Sequence, residues 1–255
     1  MIAALTTAAL SLLALVLVFV PLERVFPARR GQPILRPEWL TDLGFFLGQY
    51  LVFSGLAIGF LVVVSGLLDP LLPLSARSWS QELPLAARVG LALVLGDLVT
   101  YWFHRACHRY ALLWRFHAVH HSSERLDFLA AHREHPLDGM LTQLCVNLPG
   151  IVLGLSFAPL GGLVVFRGLW AIFIHSNVRL PLGPLRLVLG APELHHWHHA
   201  RVPVTRHNFA NLAPYLDVLF NTYHRPQGPE DYPLGLTMAW PRRYLAQLLR
   251  PLRPR

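Results

Sequence analysis

The sequence contains no lysine, only two cysteines and only 14% charged residues. Each shortage excludes something. A soluble domain of comparable size carries roughly 25% charged residues, so so few charges exclude an ordinary water-soluble surface. Two cysteines, Cys107 and Cys145, supply neither a disulfide framework nor a CxxC metal pair, and read as packing residues. The chain has no CxxCH and no GxGxxG after a strand, so it has no recognisable haem, flavin or iron–sulfur motif. Solenoid-period repeats and low-complexity linkers are also missing.

Apolar sequence fills the space that charge leaves. Hydrophobic residues make up 54% of the chain and the mean hydropathy is +0.43. Ile2–Val20, Leu43–Leu68 and Leu83–Phe103 are runs long enough to cross a bilayer, which takes about 20 residues. Leu137–Leu160 and the shorter Leu163–Ile174 follow, and Pro159-Leu-Gly-Gly162 between them predicts the turn of a helical hairpin. The first run lacks a basic n-region and exceeds a usual signal-peptide core, so it is read as an uncleaved helix.

The net charge of +8 and pI of about 10.3 could suggest nucleic acid. The placement of the arginines argues for a membrane instead. Arg24, Arg29, Arg30 and Arg36 follow the first run, Arg105, Arg109 and Arg115 the third, and Arg242, Arg243, Arg250, Arg253 and Arg255 close the chain. Arginine beside apolar spans marks the cytoplasmic side. An outside N-terminus, three crossings and a hairpin entered from the cytoplasm satisfy all three clusters. Lysine-free composition suggests a GC-rich bacterial genome and hence an inner membrane. The fold expected is an all-α membrane protein: a single domain over 1–255 whose transmembrane bundle, with N-terminal helices in 2–68, carries a cytosolic, histidine-rich cap.

Fourteen histidines remain to be explained. His104-Arg-Ala-Cys-His108 places two imidazoles on one helix face, with Asp97 and Tyr101 on the same stripe. His117-Ala-Val-His120-His121 and His195-His-Trp-His198-His199 are two further units of like spacing. A lone unit of this kind is as often a solvated turn. Three units on one predicted side of the membrane, joined by His175 at the hairpin's return, point to shared metal ligation. Eight histidines at the motif positions of the three units, His196 left aside, exceed what one ion can take and imply two metals. No Glu lies inside any unit, unlike HExxH zinc sites, and the two Glu-x-x-His motifs of soluble carboxylate-bridged di-iron proteins do not occur, Glu193-Leu-His-His196 standing alone. Imidazole alone suits Zn, Cu, Fe and Ni, so ligand type does not choose the metal.

From about Leu95 to Thr222 these motifs resemble the fatty acid hydroxylase/sterol desaturase superfamily. The resemblance rests on Asp97-xxx-Tyr101-Trp-x-His104-Arg-xx-His108, His117-xx-His120-His121-Ser122, Arg133-x-His135-Pro136-Leu-Asp138 and His175-Ser-Asn-Val-Arg-Leu-Pro181. Pro192-Glu-x-His195-xx-His198-His199, Asn208-Phe-x-Asn211-Leu and Asp217-Val-Leu-Phe-Asn-Thr222 complete it. It departs from the family pattern at His196, Leu216 and Asn221. The resemblance implies two Fe ions that activate O2 and oxidise an unactivated C–H bond of a membrane lipid by hydroxylation or desaturation. An external electron donor, a reductase or a ferredoxin- or cytochrome-type protein, is implied with it, and no nucleic acid.

The ligand set implied is His104, His108, His117, His120, His121, His135, His175, His195, His198 and His199, with no catalytic residue separate from the metal centre. His132, His207 and His224 are left outside it. Asp97, Asn211 and Asp217 are candidates to hold ligating imidazoles in place, since such rings donate their other N–H to a carboxylate or carbonyl. The competing reading is a membrane metal transporter or metal-binding protein, whose site is expected at mid-bilayer on broken helices.

Overall fold

The computed structural model describes residues 2–155, 157–202 and 206–253. Apart from two isolated bridges, all regular structure among them is helical. Helix α1 (Ile2–Val25) is followed by α2 (Trp39–Gly48), a π-helical turn (Gln49–Phe53) and α3 (Ser54–Leu68), which form one continuous rod. The short α4 (Leu74–Glu82) leads to α5 (Leu85–Arg109). Helices α1, α2–α3 and α5 are long and apolar enough to cross a membrane.

After α6 (Ala111–His117) come α7 (Pro136–Val152) and α8 (Phe157–His175), the expected hairpin. Its turn falls earlier than the predicted Pro159–Gly162, which lies inside α8. Gly154 takes a left-handed φ of 66°, and Leu155 N–H closes back on Gly150 O at 2.9 Å. Glycine adopts that conformation at little cost and so ends α7. Pro159 needs no N–H partner because it stands in the first turn of α8. Short helices α9 (Arg186–Leu189), α10 (Pro192–His198), α11 (Tyr215–Leu219) and α12 (Tyr244–Leu249) lie among the loops of the last third.

The distribution of apolar side chains fits a lipid solvent. Leu17, Ile58, Val63 and Val165 are among many large apolar residues that are more than half exposed, and α3 buries none of its residues. Lipid tails are as apolar as leucine, so helix association rests on close packing instead. The α5–α7 contact shows how. A Cβ on Gly96 would stand 2.7 Å from Val146 O, so only glycine lets the two backbones approach this closely.

A buried ionic ladder ties the first third of the chain to the histidine-bearing segment. Arg36 binds Asp127 through two hydrogen bonds, of 2.6 and 2.7 Å, and Asp42 through one of 2.6 Å. Arg133 donates to the other Asp42 oxygen at 2.6 Å and to Glu38 at 2.9 Å. Arg36 and Arg133 are 1% and 0% exposed. Arg36 is therefore no membrane-flanking charge, contrary to its place in the first arginine cluster: it is desolvated because carboxylates on two sides neutralise it.

Replacing Gly96 with valine should lower the stability of the detergent-solubilised protein by about 1–3 kcal/mol through overpacking. Gly59→Val, where a Cβ meets nothing within 4 Å, should leave the thermal melt nearly unchanged. Equal melts for both variants would contradict the close α5–α7 contact.

Candidate metal centre

Each histidine unit is carried by an element that meets the others at one end of the bundle. His104 and His108 occupy the last turns of α5, His117 ends α6, and His120 and His121 form a 3-10 turn. His175 ends α8, and α10 presents His195 and His198 with His199 at its C-terminus. Because α7 leaves this end and α8 returns to it, residues far apart in sequence converge.

The convergence sorts nine histidines into two groups. His104, His108, His117, His121 and His198 form one, and His120, His175, His195 and His199 the other. Within each group one ring nitrogen per residue lies within 4.8 Å of all the others. The groups adjoin each other: the His121 and His199 rings stack with centroids 4.3 Å apart.

The hydrogen bonds decide what faces the centre. His104 Nδ1 lies 2.6 Å from Phe209 O, His198 Nδ1 2.8 Å from His207 O, and His120 Nδ1 3.1 Å from Arg133 O. His175 Nδ1 lies 2.6 Å from Ala171 O, one turn back. A carbonyl only accepts, so each of these Nδ1 atoms carries the proton. In the neutral ring, Nε2 is then a bare lone pair. Yet His120 and His175 bring their Nε2 atoms to 3.1 Å, and His175 and His195 to 2.9 Å. Between His120 and His175 no proton is left to make a hydrogen bond. In the other group, Nε2 of His104, His108 and His198 is buried with no hydrogen-bond partner. Buried acceptors facing one another are costly unless a cation lies between them. The donor set therefore fits metal ions, and an all-imidazole set fits iron, copper, nickel or zinc.

Burial, followed by the charges of neighbouring imidazoles, depresses the basicity of the histidines beyond the long helices. His120 falls to about 4 and His198 to about 3; His121, His195 and His199 lie well below 6.5. These rings are neutral at physiological pH, the form that binds metal.

His135, the tenth histidine of the expected set, lies apart. Its Nδ1 accepts from Leu137 N–H as the N-cap of α7, and its Nε2 faces Leu248 O at 3.2 Å. His196 is engaged by Glu230 at 2.6 Å and Ser176 O at 3.0 Å, so neither nitrogen faces the groups. His132 pairs with Gln49, and the His207 and His224 rings pack against each other outside both groups.

The three expected imidazole-holding residues have different surroundings. Asp217 accepts from Phe209 N–H at 2.8 Å and Ala210 N–H at 3.0 Å, and so fixes the loop whose carbonyl holds His104. Asp97 instead binds the Arg167 guanidinium, and Asn211 Oδ1 has no partner within the protein. The residue overlooked is Asp138, whose carboxylate stands 2.9 Å from His117 Nδ1. Its place in the Arg133–Asp138 stretch could have flagged it. The carbonyls of Arg133, His207 and Phe209 carry no sequence signal, since every residue has one.

A cavity of about 500 Å³ opens between the helices beside the histidines, with His104, His117, His120 and His175 in its wall. Its other walls come from the π-helical turn and the start of α3, from α5, α7 and α8, and from the segments 131–134 and 209–212.

Alanine at His104, His120, His175 or His198 should empty or weaken the metal site. Asp138→Asn should weaken metal retention roughly 10–100-fold, whereas His207→Ala keeps its backbone carbonyl and, like His224→Ala and Asp97→Asn, should retain metal. Metal analysis of the purified variants checks the division, and loss in His207→Ala equal to that in His198→Ala would contradict it. Acidification gives an independent check. The folded pKa values of His120 and His198 lie below the unfolded value of 6.5, so the unfolded chain binds more protons between the two. Stability of the metal-free protein then rises with pH across about 4 to 6.5 and is lost as the pH falls. Thermal melts that do not fall between about pH 7 and pH 5 would contradict this burial.

The fatty acid hydroxylase family model matches residues 89–222, which include all nine clustered histidines. The chain is 31% identical over 249 residues to ornithine lipid hydroxylase OlsE of Rhizobium tropici, covering 95% of this chain and 73% of that protein. It is 30% identical to alkylglycerol monooxygenase of Danio rerio and 32% identical to that of Homo sapiens. Those matches cover 59% and 55% of this chain but only 34% and 31% of the relatives, so the chain spans about a third of their length. No solved structure matches. Over most of its length, through the span that carries the two histidine groups, this chain belongs to the fatty acid hydroxylase family.

Proposed function

We propose that the chain is a membrane lipid hydroxylase that holds two irons in its two histidine groups and uses O2 to hydroxylate a C–H bond of a bilayer lipid. The observation that carries the reading is the apposition of proton-free Nε2 atoms, 3.1 Å apart for His120 and His175, in two adjoining groups. When bound, the irons supply O2 activation and the oxidising power for C–H cleavage. The balance is R–H + O2 + two electrons + two protons giving R–OH + H2O. The chain has no redox motif to supply the electrons, so a separate donor protein delivers them.

The protein's own groups prepare the site. Backbone carbonyls and Asp138 hold the Nδ1–H side of His104, His117, His120, His175 and His198, which orients those five lone pairs before metal arrives. Burial of His198 and His199 (0% and 1% exposed) keeps water from the reactive centre. The cavity lies among apolar helices whose outer faces meet lipid, so substrate enters sideways from the bilayer. Hydroxylation is preferred to desaturation because OlsE and the alkylglycerol monooxygenases are named for oxygen insertion. The arginines flanking the spans put the histidine end in the cytoplasm, at the inner face of a bacterial inner membrane. A transporter is disfavoured: the histidines lie at the ends of α5, α6 and α8, where a mid-bilayer site on broken helices is not formed.

Lipids from cells making the wild-type chain under 18O2 should include species carrying one heavy oxygen, missing from cells making His120→Ala or His199→Ala at equal protein level. Identical lipid profiles for the three strains would overturn the proposal. Cysteine-accessibility labelling should place positions 31–37 on the same side as 195–202, and opposite sides would refute the orientation.

A further inference from the structure

The wall of the cavity beside the histidines is unexpectedly polar for a chamber among apolar helices. Besides His104 of the metal groups, five residues lining it carry a buried polar atom with no hydrogen bond inside the protein: Thr100 Oγ1, His132 Nε2, Arg167 Nε, Trp170 Nε1 and Asn211 Oδ1. They differ in kind. Trp170 Nε1 and Arg167 Nε only donate, and Asn211 Oδ1 only accepts. Thr100 can do either. His132 Nδ1 lies 2.8 Å from Gln49 Oε1, an acceptor, which leaves its Nε2 as an acceptor. The rest of Arg167 is committed: one terminal nitrogen binds Asp97 and the other donates to Leu93 O at 2.8 Å.

A hydrocarbon tail satisfies none of these atoms. In a low-dielectric setting each one left without a partner carries a desolvation penalty. Their position also matters. Thr100 is four residues before His104 on α5, about 6 Å along the helix and on the same face. Trp170 stands five residues before His175 on α8, about 7.5 Å away along the axis. Thr100 and Trp170 therefore stand within one or two helical turns of the histidines. Whatever carbon is held at the histidines lies close to polar atoms of the same molecule.

Resting on the hydroxylase reading, we propose that this chamber takes the polar end of a lipid, one bearing adjacent hydrogen-bond donors and acceptors such as an amide with a hydroxyl, amine or carboxylate. The oxidised carbon belongs to that polar end, and the acyl tails stay toward the bilayer past Val165 and Leu169. Both residues line the cavity and are more than half exposed. Thr100 and Trp170 are specificity-determining residues in this account. Neither Thr100 Oγ1 nor Trp170 Nε1 makes a hydrogen bond to any protein group, so neither polar atom is needed by the metal groups, although Trp170 also packs against Phe166 and Phe173.

The test uses the full-length protein in detergent, stripped of metal, with native mass spectrometry as the binding readout. The probes are N-palmitoylserine, which carries an amide, a hydroxyl and a carboxylate, and methyl palmitate, which has the same chain and no donor. The wild type should prefer N-palmitoylserine by roughly tenfold or more. Thr100→Val and Trp170→Phe should each reduce that preference roughly 3–10-fold, the loss of one neutral hydrogen bond, with methyl palmitate binding and the thermal melt unchanged in the near-isosteric Thr100→Val. A chamber that merely holds water would show no preference, or one that both substitutions leave intact, and either result overturns the inference. A second arm locates the heavy oxygen by tandem mass spectrometry of lipids formed under 18O2. Label in the polar-end fragment supports the inference, and label in the acyl fragment refutes it. If no lipid is labelled while the binding preference holds and depends on Thr100 and Trp170, the hydroxylase reading fails and the polar chamber stands.

Discussion

Buried lone pairs that point at one another govern this structure. His120, His175, His195 and His199 bring successive Nε2 atoms within about 3 Å of each other, in surroundings that suppress protonation. A protein that desolvates bare acceptors in this way incurs a cost that only a cation between them offsets. Several otherwise separate features follow from that one constraint. Nδ1 is turned outward to a carbonyl or carboxylate wherever its partner is identified. The segments carrying those partners are themselves pinned, and one end of the bundle is closed over the rings.

The pinning reaches well beyond the histidines. Arg133 receives His120 on its carbonyl while its guanidinium binds Asp42 and Glu38. Arg36 joins Asp42 to Asp127. A residue on α2 thereby determines where a histidine in a distant 3-10 turn can stand. Buried ion pairs of this kind contribute little net stability against apolar replacements, but breaking one side is strongly destabilising. Their role here is register. Asp217 does the same for His104, by gripping the two peptide N–H groups next to the carbonyl that holds the ring.

Much of this was legible in the residues. Apolar runs marked the three helices long and apolar enough to cross a membrane, because bilayer thickness sets a length that any reader can count. Spacings of three and four gave the histidine faces because helical periodicity is local, and the eight motif histidines of the three units do meet with His175. The hairpin turn was misplaced, since Gly154 outweighs a Pro-Leu-Gly-Gly signal that a helix N-terminus can absorb. His135 looked like a further ligand by its position in a motif, yet both its nitrogens serve the start of α7 and Leu248. Asp97 looked like a partner for a ring but binds Arg167, seventy residues on, a contact that only the α5–α8 packing creates. How the nine histidines divide between two groups was likewise beyond local periodicity. It depends on how α5, α6, α8 and α10 meet.

The central claim is that two adjoining all-imidazole groups hold two irons. Iron-edge X-ray absorption on the full-length protein loaded anaerobically with excess Fe(II), combined with iron and protein quantitation, tests it most directly. The account predicts about two irons per chain, one for each histidine group, a light-atom first shell dominated by nitrogen, and the outer-shell scattering of several imidazole rings. A single iron per chain at saturation, or a spectrum without imidazole scattering, would contradict it.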